Sequence, residues 1–145
     1  PWPAATAYPV PNWAHLGQVR TERWVHQRQM RGAIVKAAGY RDDYLTVIMQ
    51  TFVWAFPHQY RAAAEPEARV LLDFGSAGAW TLTSDGTRWD LGPRVVGAAH
   101  VAEVHADLDS GWRWLTSGDV SDGALHTSGP PDLVEPLLQV RAILV

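Results

Sequence analysis

Apolar positions along the chain follow two different periods. Up to about residue 64 they recur every three or four residues, as on a helix with one covered face. Asn12 is placed to cap a helix over about residues 13–37, and Gly39 is placed to end it. Along that helix His15, Val19, Glu22, His26 and Met30 form one stripe, so Glu22 and His26 are expected among its buried positions. Asp42 or Asp43 caps a second helix reaching to about Ala64, with Tyr44, Ile48, Phe52 and Ala55 on its apolar face. Pro57 falls inside this pattern and predicts a kink or break, and Glu65-Pro66-Glu67 closes the helical part.

Beyond that point the period drops to two. Val70, Leu72 and Phe74 alternate with Arg69, Leu71 and Asp73, and Trp80 and Leu82 alternate with Thr81 and Thr83. Asp85-Gly86 is a tight-turn signal, and Trp89 and Leu91 follow it, so a hairpin is predicted. Residues 98–106 form another alternating run containing His100 and His105. Asp107 caps a short helix bearing Leu108, Trp112 and Leu115 that ends at Gly118, with Trp112 rather than Trp114 turned to the core. A short strand over 123–128 precedes a last helix to about Leu144, opened by a capping box of Asp132 and Glu135, with Pro136 tolerated in its first turn. The expected class is α+β: long N-terminal helices followed by a small, mainly antiparallel sheet packed with helices.

Composition narrows the function classes. The chain has 145 residues, 47% of them apolar, enough for a buried core. Lys+Arg 12 against Asp+Glu 15 leaves a formal charge of -3, without a basic stripe, so nucleic acid is not an expected partner. The absence of Cys removes disulfides and thiolate metal sites. No apolar run approaches the roughly 20 residues of a membrane span, and no signal peptide is visible, so a cytoplasmic location is expected. Lys36 is the single lysine, beside abundant Arg, Ala and Gly, a hint of a high-GC, actinobacterium-like source. The chain opens Pro1-Trp2-Pro3 and its first methionine is Met30, so a processed or partial product is expected. The eight Trp residues are read as packing rather than as a ligand cage.

The candidate chemistry lies on the first helix. Glu22 and His26 are one turn apart, so a carboxylate and an imidazole project from one face and offer two donors to a divalent metal. The plainer reading is an ordinary i,i+4 pair, contributing about 0.2–0.5 kcal/mol. His100 and His105 stand at odd separation in one predicted strand and are expected on opposite faces. His58 is read as a surface or capping residue and His126 as solvated. Arg28 and Arg31 are read as a solvated helix face that also suits an acidic substrate. Gly75-Ser76-Ala77-Gly78 lacks the Lys and the spacing of a phosphate cradle and reads as a hairpin turn. Ser110 and Ser117 have no nucleophile-elbow context.

Three segments carry a resemblance: Thr21–Arg31 (TERWVHQRQMR), Thr51–Arg61 (TFVWAFPHQYR) and Val140–Val145 (VRAILV). Together they resemble the C-terminal half of the mycothiol-dependent maleylpyruvate isomerase family. The resemblance implies a remnant of a DinB-like helical bundle over 1–39, its last helix, and a sterol-carrier-like α+β domain over 40–145. It implies that Glu22 and His26 are ligands of a divalent metal, usually zinc, completed by a His from an earlier helix that His15 does not replace. It implies mycothiol or a similar low-molecular-weight thiol as cofactor and a small-molecule substrate. In that family thiol addition to maleylpyruvate permits rotation and then elimination to fumarylpyruvate. An Arg of the C-terminal domain lies near the family's active site, and Arg141 is the candidate here.

The leading expectation is therefore the C-terminal portion of a metal- and thiol-dependent isomerase or transferase, inactive alone because its metal site is incomplete. The alternative is a module that encloses a small apolar, lipid-like ligand between sheet and helices. A purely structural role is the third reading, with two copies pairing through the orphan helix to form a homodimer.

Overall fold

The computed structural model describes residues 22–27 and 42–142, and residues 22–27 are helical. The second predicted helix proves to be three pieces: α1 (Asp42–Phe52), a 3₁₀ turn (Val53–Ala55) and a short α2 (Phe56–Gln59). The break predicted at Pro57 falls just before it. Pro57 sits in the first turn of α2, where its missing N–H costs no helical hydrogen bond. The helical stretch stops at Gln59, earlier than the pattern predicts, because Tyr60 turns extended and buries its ring. The Tyr60 hydroxyl donates to the carbonyl of Leu133 at 3.0 Å, and burial pushes its phenol well above the ordinary tyrosine range.

Five strands follow: β1 (Arg69–Asp73), β2 (Ala79–Ser84), β3 (Trp89–Pro93), β4 (Ala102–Ala106) and β5 (Leu125–Ser128). They form one sheet in the order β3-β2-β1-β4-β5. β1 with β4 is the single parallel pairing in it; β1–β2, β2–β3 and β4–β5 are antiparallel. The expected α+β class with a mainly antiparallel sheet is what forms. The β2–β3 hairpin closes as the sequence predicts, with Ser84 opposite Trp89. In its turn the Asp85 carboxylate accepts from the Thr87 hydroxyl and from the backbone N–H groups of Thr87 and Arg88. Gly75-Ser76-Ala77 makes a 3₁₀ turn joining β1 to β2. β4 starts at Ala102 rather than at residue 98, because the preceding loop crosses from the β3 edge to reach the far side of β1.

Helix α3 (Leu108–Leu115) begins at the predicted cap, with the Asp107 carboxylate accepting from Ser110 N–H at 2.7 Å. It ends in a Schellman turn: Gly118 N–H reaches the Arg113 carbonyl and Ser117 N–H reaches the Trp114 carbonyl. The left-handed residue in this turn is Ser117, at φ 58°, and not the glycine beside it. Helix α4 (Pro131–Leu138) differs from its prediction at both ends. Pro130 rather than Asp132 precedes it, without a side-chain cap, so no capping box forms. It stops at Leu138 because Arg141 donates its guanidinium to the Leu138 and Val140 carbonyls, closing the last turn.

The main core lies on one face of the sheet, and Leu71 and Thr81, paired on the other face, are buried as well. Val70, Leu72, Leu82 and Val104 point into the main core, against Met49, Phe52 and Phe56 from the helices before the sheet and Leu115 and Leu137 from those after. Both Trp112 and Trp114 are buried, against the expectation that one alone would be. α3 is covered on two sides, so residues two apart both find apolar neighbours. Trp114 packs on Phe56 and Phe74, and Trp112 on Trp24. No helix among the described residues is long and apolar enough to cross a membrane.

Candidate functional site

The helical segment 22–27 presents its faces differently from the predicted stripe. Trp24 and Val25 are buried, and Glu22 and His26 are both exposed. The expectation that Glu22 and His26 share the packed face is therefore corrected. The physical reason is size: an indole and a valine remove far more apolar surface from water than the stripe's acid and imidazole would. The Trp24 ring meets Trp112 edge-on, with centroids 5.1 Å apart. Trp112 is held in turn by its Nε1–H donating to Asp109 at 2.8 Å and by the Arg113 guanidinium 5.0 Å above its ring. Arg113 also pairs with Asp109 at 2.8 Å. The indole anchor thus fixes the rotation of the helical segment and turns Glu22 and His26 together to solvent. His15, Val19, Arg28, Met30 and Arg31 lie outside the described residues.

Glu22 and His26 supply one oxygen and one nitrogen donor type from adjacent turns of one exposed face. That is half of a four-donor zinc shell. No three His, Asp or Glu groups among the described residues are arranged to hold a metal ion. The chain's described part fits the implied metal only as far as this pair, and the remaining donors would have to come from elsewhere.

Arg141 sits far along the chain from that pair, just after α4. Besides its two carbonyl contacts, its backbone N–H donates to the Gln59 side chain at 3.0 Å, and its carbonyl accepts from the same amide. Its guanidinium faces the helix end that it closes. His58 lies in α2, with its carbonyl accepting from Arg61. His126 is exposed on β5, as the sequence predicts.

A second group of polar side chains was not legible from the sequence. It lies on the sheet face opposite the main core. Asp73 of β1 is paired in register with His105 of β4, and His105 with His126 of β5, so the three residues form one row across three strands. The His105 ring lies between two carboxylates: Nδ1 is 3.7 Å from Asp73 and Nε2 is 3.1 Å from Glu103. Arg94 stands 3.8 Å from the same Asp73 carboxylate, whose other oxygen accepts from Gly75 N–H. His100 comes up to Glu103 from the other side, with its Nδ1 3.6 Å away. The two histidines expected to diverge therefore converge on one carboxylate, because His100 precedes the strand and the alternation rule does not apply to it. The His100 side chain is only 7% exposed, and its Nε2 has no hydrogen-bond partner among the described residues. The one local signal was Glu103-x-His105, two positions apart on a strand and hence on one face. The contributions of β1 and β5 depend on strand order, which no local pattern encodes.

Aromatic side chains pack against one another between the sheet and the helices. Tyr60 lies 4.9 Å from Trp89, and Phe74 lies 6.2 Å from Trp80 and 6.1 Å from Trp114, centroid to centroid.

Comparison of the chain with protein-family models, curated proteins and solved structures gives no match.

Proposed function

We propose that this chain is the C-terminal portion of a metal- and thiol-dependent isomerase or transferase, with Glu22 and His26 as two of the metal ligands. The observation that carries the reading is the exposure of Glu22 and His26 on one helix face while Trp24 and Val25 anchor the opposite side. Such a helix can dock against the α+β domain and offer its polar face to companion helices at the same time. The resemblance carried by Thr21–Arg31, Thr51–Arg61 and Val140–Val145 supplies the family, the sterol-carrier-like character of the domain and the long form of the first helix.

Bound there, a divalent ion would act as a Lewis acid and lower the pKa of a thiol. The role of this chain's residues is narrower. Glu22 and His26 hold two coordination positions, and the Trp24–Trp112 contact fixes the angle at which they are presented. The substrate is a small molecule, and the expected place of action is the cytoplasm. The aromatic pairs between sheet and helices weigh against the apolar-ligand reading.

The test is cobalt binding to this chain joined to the bundle helices that the reading requires. A d–d absorption spectrum at one equivalent of Co²⁺ is expected, lost on Glu22→Ala together with His26→Ala. An unchanged spectrum in the double variant would overturn the proposal, as would absence of cobalt binding in the joined protein.

A further inference from the structure

The two edges of the sheet, β3 and β5, are finished differently. β3 carries the charge of Asp90 and ends at Pro93, which has no N–H to offer. Its Trp89 Nε1–H also ties the chain after α2 to this edge, donating to the Ala62 carbonyl at 2.8 Å. Charge, proline and covering chain are the devices that keep an edge from pairing. β5 has none of them. Leu125-His126-Thr127-Ser128 holds no proline, acid, Lys or Arg, and it pairs with β4 in unbroken register without a bulge. Its one restraint is its length of four residues. Every second residue of a strand turns its N–H and carbonyl to the same edge, so β5 aims an outer row of both away from β4. Among the described residues no hydrogen bond is made to that row.

The surroundings of β5 are acidic. Asp119 and Asp122 precede it, Asp132 and Glu135 follow it, and all four are exposed. None of them is ion-paired among the described residues. No Lys or Arg lies between Arg113 and Arg141. Those two are engaged elsewhere, Arg113 by Asp109 and Arg141 by the carbonyls that close α4.

We propose that the outer edge of β5 takes an extended basic peptide segment of another protein as a sixth strand. Main-chain hydrogen bonds to the open row supply the pairing, and side chains on alternate faces supply the selectivity. Leu125 lies on the core side of β5, partly buried against the core, so that side favours apolar residues in the added strand. His126 and Ser128 lie on the other, exposed side, where Arg or Lys stays in water within the field of the four acids. The fitting segment therefore alternates apolar and basic residues. A second copy of this chain fits poorly, because pairing β5 with β5 brings two sets of the same acids together. The edge is independent of Glu22 and His26, and its test leaves that pair untouched.

The full chain is titrated with a dye-labelled, capped peptide of alternating valine and arginine, at neutral pH and low salt, followed by fluorescence anisotropy. Saturable binding of one peptide per chain is expected. The same peptide N-methylated at every amide should bind at least about tenfold more weakly, since it has no N–H to give the edge. A valine–glutamate peptide should bind at least about tenfold more weakly as well. Asp122→Asn with Asp132→Asn, both at exposed positions, should weaken the arginine peptide about threefold or more and flatten its salt dependence. In ¹⁵N NMR the amides of residues 125–128 should shift on addition of the peptide. Absence of saturable binding overturns the proposal, as does undiminished binding of the methylated or the glutamate peptide. Shifts that spare residues 125–128 also overturn it. So does self-association of the chain through those residues, because the occupant would then be a second copy.

Discussion

Trp24 meets the edge of Trp112 at a centroid separation of 5.1 Å, and both rings are buried. This contact ties the helical segment to α3, so it sets how Glu22 and His26 are presented. Trp24→Ala is expected to cost about 3–5 kcal/mol, the range for a buried aromatic cut to Ala. In a double-mutant cycle with Trp112→Ala, the two losses should fall short of additivity by about 0.5–1.5 kcal/mol. Urea unfolding of the four proteins measures this; additive losses would show that the rings stabilise the fold separately.

Gly111 has no side chain for a packing reason. A Cβ there would lie 2.6 Å from Phe74 Cδ1 and 3.3 Å from Met49 Cε. Phe74 and Met49 are both fully buried and have little room to yield. Gly111→Ala should therefore destabilise by about 1–3 kcal/mol despite the better helix propensity of Ala. A higher melting temperature in the variant would contradict this packing argument.

Ser117 occupies the left-handed position that ends α3, at φ 58°. Glycine adopts that conformation without strain, at some cost in unfolded-chain entropy. Ser117→Gly should stabilise by about 0.5–1 kcal/mol, and Ser117→Val should destabilise. Thermal unfolding of the two variants should move in opposite directions.

The Asp85 carboxyl is lowered from 3.8 to about 2. The causes, largest first, are the Thr87 hydroxyl, the N–H groups of Arg88 and Thr87, and the Arg88 charge. A carboxyl depressed in the folded state stabilises above its unfolded pKa, and the contribution is lost as pH falls through the folded value. Between pH 4 and pH 2 the parent should therefore lose more stability than Asp85→Ala. Urea midpoints across that interval check it; parallel declines would mean that the turn contributes nothing through this group.

Much of the local architecture was readable in advance, because its causes are local. The Asp107 cap and the Asp85-Gly86 hairpin act over a few residues, where backbone geometry alone sets the outcome. The two-residue alternation puts Val70, Leu72 and Phe74 in the core, but Leu71 on the other face of β1 is buried too. The errors lay where distant segments compete. The Asp132–Glu135 capping pattern gave way to Pro131 at the helix start and to closure by Arg141 at its end. Trp112 and Trp114 are both covered because the 22–27 segment and the core lie against different sides of α3.

For the candidate sites, the sequence by itself determined that Glu22 and His26 share one helix face, since that follows from the helical repeat. It did not determine whether that face is buried; the tertiary structure did, by giving the docking side to Trp24 and Val25. Likewise it placed Glu103 and His105 on one side of a strand. Only strand order and register brought Asp73 and His126 beside them, since those pairings join residues far apart in the chain through the whole packed sheet.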